Sequence, residues 1–195
     1  MMTLHFLGIS GSLRQRSYNS ALLRACDDLL PPGVALEIFD LSPLPMYNDD
    51  LREHGFPEPV QHFRERVAAA DALLIATPEY NGSITGALKN AIDWASRMDK
   101  HGHKPLDWKP VGIMGAVTGG YGAVSALGHL RDILFCTNCY VMNKPPIRVP
   151  FVDKKFDTNL RLTDDATREF LRDFLVNLAD FAPRFVDHAN KTAKA

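Results

Sequence analysis

The chain has 195 residues, 46% hydrophobic and 23% charged, the make-up of one ordinary globular domain over residues 1–195 with a full core. A formal net charge of -1 offers no electrostatic basis for binding nucleic acid or an anionic membrane. No run approaches the roughly 20 apolar residues of a membrane span, and Met1 to Ile9 lacks the basic start of a signal peptide, so a cytoplasmic protein is expected.

The first predicted strand is Leu4-His5-Phe6-Leu7-Gly8-Ile9, a nearly continuous apolar run of the kind buried on both faces. It delivers a polar loop, Ser10 to Ser20, and then a helical pattern from Ala21 to Leu30 that Pro31-Pro32-Gly33 stops. Strand, loop and helix in that order are what a phosphate loop requires. Backbone amides and the hydroxyls of Ser10, Ser12 and Ser17 can face one phosphate at the positive end of the helix. Arg14 and Arg16 add charge, and Asn19 or Ser17 would cap the helix. The same residues would also serve as plain caps and turn formers. The loop is neither G-x-x-x-x-G-K-[ST] nor G-x-G-x-x-G, which argues against a nucleoside triphosphatase and a dinucleotide-binding first turn.

A second strand spans Val34 to Phe39, followed by a proline-broken loop from Leu41 to Asp50. There Leu44, Met46 and Tyr47 either pack on the domain or wall a pocket or subunit contact. Glu58 to Ala70 reads as an amphipathic helix with Val60, Phe63 and Val67 on one face. The third strand, Ala72 to Ala76, stops at Pro78, which has no amide hydrogen. Beyond it the amides of Glu79, Tyr80, Asn81 and Gly82 are expected to be free for the polar edge of a planar ligand, with Tyr80 offering a ring face.

A helix from Ile84 to Met98 follows, then a polar crossover in which His101 and His103 read as a solvated turn, so no metal is expected. The fourth strand, Pro110 to Ala116, runs into the glycine-rich loop Val117 to Ala123 and a helix from Val124 to Phe135. Cys136-Thr137-Asn138-Cys139 has C-x-x-C spacing but follows a helix, the end that does not lower a thiol pKa. With no further metal ligands in reach, these read as ordinary thiols, as does Cys26 within its helix. A fifth strand, Tyr140 to Met142, leads through Asn143-Lys144-Pro145-Pro146 to an extended Ile147-Arg148-Val149. A last helix, Asp164 to roughly His188, is capped by Thr163 and carries a core stripe of Phe170, Leu171, Phe174, Leu175 and Leu178. Asn190 to Ala195 is expected to fray.

The alternation of strands and helices predicts an α/β, flavodoxin-like three-layer sandwich with a five-stranded parallel sheet in the order 2-1-3-4-5. In that order the carboxyl ends of strands one, three and four are neighbours at the switch point, and the three special loops leave those strands. A phosphate cradle, a ring-edge loop and a glycine-rich wall together describe a mononucleotide with a flat heterocycle. FMN fits best.

Three motifs carry a family resemblance. Gly-Ser-Leu-Arg-x-x-Ser-x-Asn (Gly11 to Asn19), Thr-Pro-Glu-Tyr-Asn (Thr77 to Asn81) and Leu-Lys-Asn-Ala-Ile-Asp-Trp (Leu88 to Trp94) resemble the NADPH-dependent FMN reductases. Gly55-Phe56-Pro57, His129-Leu130-Arg131 and Met142-Asn143-Lys144-Pro145 are similar to the chromate and quinone reductase branch. The resemblance implies FMN phosphate on Ser10, Ser12, Leu13, Arg14, Ser17 and Asn19. It implies the ring edge on Pro78, Glu79, Tyr80, Asn81 and Gly82, flanked by Thr118, Gly119, Gly120 and Gly122. It further implies ping-pong transfer of two electrons from NADPH or NADH to a small-molecule acceptor, and a homodimer or homotetramer. Quinones head the implied acceptors, with flavin, chromate and azo compounds behind them. No side chain is nominated as catalytic, because the chemistry would belong to the cofactor. No residue is clearly placed for the 2′-phosphate that separates NADPH from NADH. A flavodoxin-type electron carrier is the alternative, but such carriers are strongly acidic where this chain is near neutral. A flavin-free receiver module ranks last, since strand one ends in Ser10-Gly11-Ser12 and not in an acidic cluster.

Overall fold

The computed structural model describes residues 3–185. Strands β1 (Leu4–Ser10), β2 (Val34–Phe39), β3 (Ala72–Ala76) and β4 (Pro110–Ala116) are parallel, with β5 (Tyr140–Val141) continuing the order β2-β1-β3-β4-β5. β6 (Ile147–Val149) also pairs with β4. Pro110 is level with Tyr140 at one end of β4, and Ala116 is level with Val149 at the other. The expected fifth strand and the extended segment after it therefore share one edge position in two pieces. Pro145 and Pro146 lie in the break, where they can donate nothing to a ladder.

Side chains alternate across β3 with the period of a strand. Leu73 and Ile75 join a core with Phe63, Leu88 and Leu130, from helices α3 (Glu58–Ala69), α4 (Gly86–Ala95) and α5 (Val124–Cys136). Ala72, Leu74 and Ala76 face the opposite core, with Leu22, Phe174 and Leu178 from α1 (Tyr18–Asp27) and α6 (Asp165–Phe181). Every residue of β3 is buried, which accounts for its unbroken apolar sequence.

Helix starts differ from the expectation by small steps. Ser17, and not Asn19, caps α1 by accepting from the Ser20 amide at 3.2 Å, so the helix opens at Tyr18. Thr85 caps α4, and Asp164 in place of Thr163 caps α6. The loop after β2 contains one short helix not foreseen, α2 (Asp49–Glu53), capped by Asn48. α6 ends at Phe181, short of the expected reach to roughly His188, and residues 186–188 and the tail Asn190 to Ala195 lie outside the described residues.

Two buried cations fix the C-termini of α4 and α3. The Arg64 guanidinium donates to the carbonyls of Trp94 and Arg97 at 2.9 and 2.7 Å, and Lys109 Nζ donates to those of Ala68 and Ala70 at 3.1 and 2.6 Å. Burial holds the Lys109 ammonium down at about 8. Among the described residues no helix is long and apolar enough to cross a membrane.

Candidate functional site

The carboxyl ends of β1, β3 and β4 lie level, as Ser10 pairs with Ala76 and Ala76 with Met114. The Gly11 amide donates to the Ala76 carbonyl at 2.8 Å, and the Thr77 amide to that of Met114 at 3.0 Å. Thr85 Oγ1 donates to the Gly11 carbonyl while accepting from the Leu88 amide, so the cap of α4 also holds the first loop. A side chain on Gly11 would put its Cβ 2.9 Å from Thr77 Oγ1, which is why this crossing needs glycine.

The first loop is a set of amides around a helix start. Those of Leu13, Gln15, Arg16 and Ser17, and the first helical amides Tyr18 and Asn19, have no partner among the described residues. Ser12, Arg14, Ser17 and Asn19 line the cleft beside them. The Ser10 hydroxyl lies beneath, bonded to Ser20 Oγ at 2.8 Å, and supports the loop from inside. Asn19 is buried and both ends of its side-chain amide are bonded: Nδ2 donates to the Ala116 carbonyl and Oδ1 accepts from the Ala116 amide. Arg16 also lines the cleft, with its guanidinium donating to the Thr158 carbonyl, and Leu13 is exposed.

The second loop is a tight reversal. Tyr80 and Ser83 exchange backbone hydrogen bonds at 2.9 and 3.0 Å around Asn81 and Gly82, both at positive φ (52° and 72°), as in a type I′ turn. The Tyr80 amide is thus used inside the turn, contrary to the expectation of four free amides. Those of Glu79, Asn81 and Gly82 remain without partners among the described residues. The Glu79 carboxylate accepts from the Ser125 and Ala126 amides at 2.9 and 3.0 Å. It caps α5, whose own N-cap, Ala123, has no side chain able to do so. One turn on, His129 Nδ1 lies 3.0 Å from Ser83 Oγ, so α5 holds this loop at two points.

The third loop runs from Val117 to Ala123 and is held by the segment after β6. The Val117 amide bonds the Val149 carbonyl, and the Phe151 and Val152 amides bond the carbonyls of Gly119 and Val117. Val117 and Thr118 line the same cleft as Pro78, Glu79, Tyr80 and the first loop. Gly119 and Gly120 are exposed, and Gly122 has φ of 63°. All three loops therefore share one cleft of about 190 Å³.

A wider groove of about 940 Å³ runs between α4 and α5, and part of the charge on its walls is already paired, Lys89 with Asp93 and Asp49 with Arg52. Size does not make it the site, because none of the three loops at the carboxyl ends of β1, β3 and β4 lines it. Cys136 lines this groove and is exposed, while Cys139, outside it, is half-buried and bonded to the Leu106 carbonyl, and burial pushes its thiol up to about 11.

The family described as NADPH-dependent FMN reductase matches residues 4–152, which hold all three loops. The chain belongs to that family. It is similar to an NAD(P)H-dependent FMN reductase of Pseudomonas aeruginosa, 48% identical over 85% of this chain and 88% of the relative. It is also similar to an NADPH:quinone oxidoreductase of Arabidopsis thaliana, 40% identical over 90% of each. Among solved structures it resembles the flavoenzyme NAD(P)H:(acceptor) oxidoreductase FerB of Paracoccus denitrificans, with a TM-score of 0.85 and 30% identity over 94% of this chain and 99% of that one.

The cleft of this FMN reductase suits the cofactor. Six unpaired amides at a helix start match a phosphate, and Arg14 adds a guanidinium without a partner among the described residues. The unpaired amides of Glu79, Asn81 and Gly82 match the polar edge of a flavin, and an added Cβ at Gly82 would meet nothing within 4 Å. Sequence reasoning missed Tyr18 and Val152, which line the cleft, and the capping role of Glu79. Only the last had a local signal: a helix opening on Ala123 and Val124 has no cap of its own and needs one from elsewhere.

Proposed function

We propose that this reductase carries two electrons from NADPH or NADH to quinone-type acceptors, with FMN seated where the three loops meet. The flavin, when bound, supplies the hydride chemistry that no side chain offers. The amides of Leu13, Gln15, Arg16 and Ser17, with Tyr18 and Asn19 at the start of α1, bind its phosphate, with the Ser12 and Ser17 side chains alongside. The turn at Asn81 and Gly82 presents amides to the ring edge, where negative charge would develop on reduction. Tyr80, about half exposed, and Thr118 of the third loop bound the open face to which nucleotide and acceptor come in turn. No side chain is assigned a proton transfer.

The single observation that carries this reading is the shared cleft, lined on one side by the first loop with its unpaired helix amides and on the other by Pro78, Glu79, Tyr80 and Thr118. The quinone acceptor draws on the Arabidopsis relative's activity. The reading includes one flavin-binding unit over residues 1–195, a cytoplasmic location, and assembly as a homodimer or homotetramer, which light scattering after gel filtration measures. The enzymatic test is spectroscopic. Protein loaded with FMN should bleach on anaerobic addition of NADPH and regain its colour on addition of a benzoquinone. Protein that takes up no FMN, or whose flavin stays oxidised with both nucleotides, would refute it.

A further inference from the structure

The third loop is gripped between two side chains that the cleft does not use. The Phe151 ring lies against Gly120, where an added Cβ would sit 3.1 Å from Phe151 Cζ. The Arg148 stem lies against Gly122, where an added Cβ would sit 2.8 Å from Arg148 Cβ. Tyr121 stands between them and is 87% exposed. Phe151 is about half exposed, and the Lys154 ammonium lies 5.4 Å from its ring centroid.

Arg148 belongs to β6, level with Gly115, and its guanidinium has no hydrogen bond or ion pair among the described residues. The charge it faces is another cation. Arg131 is turned to the Met142 carbonyl and Asn143, and its guanidinium is held below its ordinary range by burial and then by Arg148. From residue 140 to 156 the chain carries Lys144, Arg148, Lys154 and Lys155 against one acid, Asp153. Lys155 is spent on Asp164. Neighbouring cations with no carboxylate between them make a place for an anion, best a doubly charged one that a guanidinium can grip by two oxygens. Exposed rings beside that place suit a flat base.

We propose that this surface is the subsite for the adenosine end of NADPH, with Arg148 taking the 2′-phosphate and Tyr121 and Phe151 flanking the adenine. The inference rests on the reading of the cleft as the place where the nicotinamide reacts, because Thr118 and Val152 line the cleft, and the third loop and Phe151 continue directly from them. It makes Arg148 the residue that separates the two nucleotides.

The test is a calorimetric titration of the FMN-loaded protein with 2′,5′-ADP and with 5′-ADP, beside steady-state rates with NADPH and NADH. The parent protein should prefer 2′,5′-ADP by roughly tenfold to a hundredfold, the worth of one charge-assisted contact. Arg148→Ala should remove that preference and lower the kcat/KM ratio of NADPH over NADH by a similar factor, while Arg148→Lys keeps part of both. Equal affinity for the two nucleotides in the parent protein, or a preference that survives Arg148→Ala, overturns the proposal. Inorganic phosphate competing as strongly as 2′,5′-ADP overturns it as well. A flavin that bleaches equally with both nucleotides before and after the substitution defeats this inference and leaves the flavin reading standing. A parent protein that takes up no FMN takes both down.

Discussion

Asn19 and Ala116 are joined by two buried hydrogen bonds, Nδ2 to the carbonyl at 2.9 Å and the amide to Oδ1 at 3.0 Å. One side chain thus fastens the start of α1 to the end of β4, and with them the phosphate loop to the third loop. Asn19→Ala would leave both polar groups of Ala116 buried and unmet, a cost of about 2 to 4 kcal/mol. Urea unfolding of the protein without FMN should show that loss. An unchanged midpoint would mean that solvent reaches Ala116 and that the two loops are not tied there.

Glu79 makes the matching connection from the second loop to α5. Removing a cap of this kind costs about 1 kcal/mol. Glu79→Ala should therefore lower stability by that amount and weaken FMN uptake further, since the loop also loses its anchor. Glu79→Gln keeps an acceptor oxygen and should retain most of both. Equal behaviour of the two variants in unfolding and FMN titration would show that the carboxylate does not cap the helix.

Much of this was legible before any coordinates. The strands announced themselves because β3 and β4 are buried on both faces and so are apolar throughout. Their order followed from the α/β alternation. The α1 cap stayed open between Ser17 and Asn19, and the α6 cap falls on Asp164, one residue from the expected Thr163, because each of these residues is chemically able to cap and only geometry chooses. The Asn81-Gly82 pair is a recognised tight-turn signal, yet reading it only as an open loop hid the loss of the Tyr80 amide. Arg148 and Val152 could not be read locally at all. They reach the third loop because β6 adds to the far end of β4, a pairing set by the two-proline break before it.

At Gly82 the backbone has φ of 72°, which proline, fixed near -65°, cannot adopt. Gly82→Pro should open the Tyr80–Ser83 reversal and displace the amides assigned to the ring edge. The turn is exposed and outside both cores, so circular dichroism should stay native. FMN uptake, read by quenching of flavin fluorescence, should weaken by at least about tenfold, equivalent to about 1.4 kcal/mol. Unaltered uptake would place the ring elsewhere.

The acid limb of stability should depend on Asp164. Lys155 Nζ at 2.8 Å, the Thr167 hydroxyl and the Thr167 amide at 2.9 Å hold its carboxyl down at about 2. A carboxyl whose folded pKa lies below its unfolded value of about 3.9 binds fewer protons folded than unfolded, so it stabilises the native state above that value. The contribution is lost as pH falls from about 4 towards 2. Asp164→Asn keeps a side chain able to cap α6 but removes the charge facing Lys155. It should be less stable than the parent protein at pH 7, with the gap narrowing below pH 4 and closing near pH 2. Unfolding midpoints measured across that range decide the matter: a gap that stays constant would show that the cap alone, and not the charge, is what Asp164 provides.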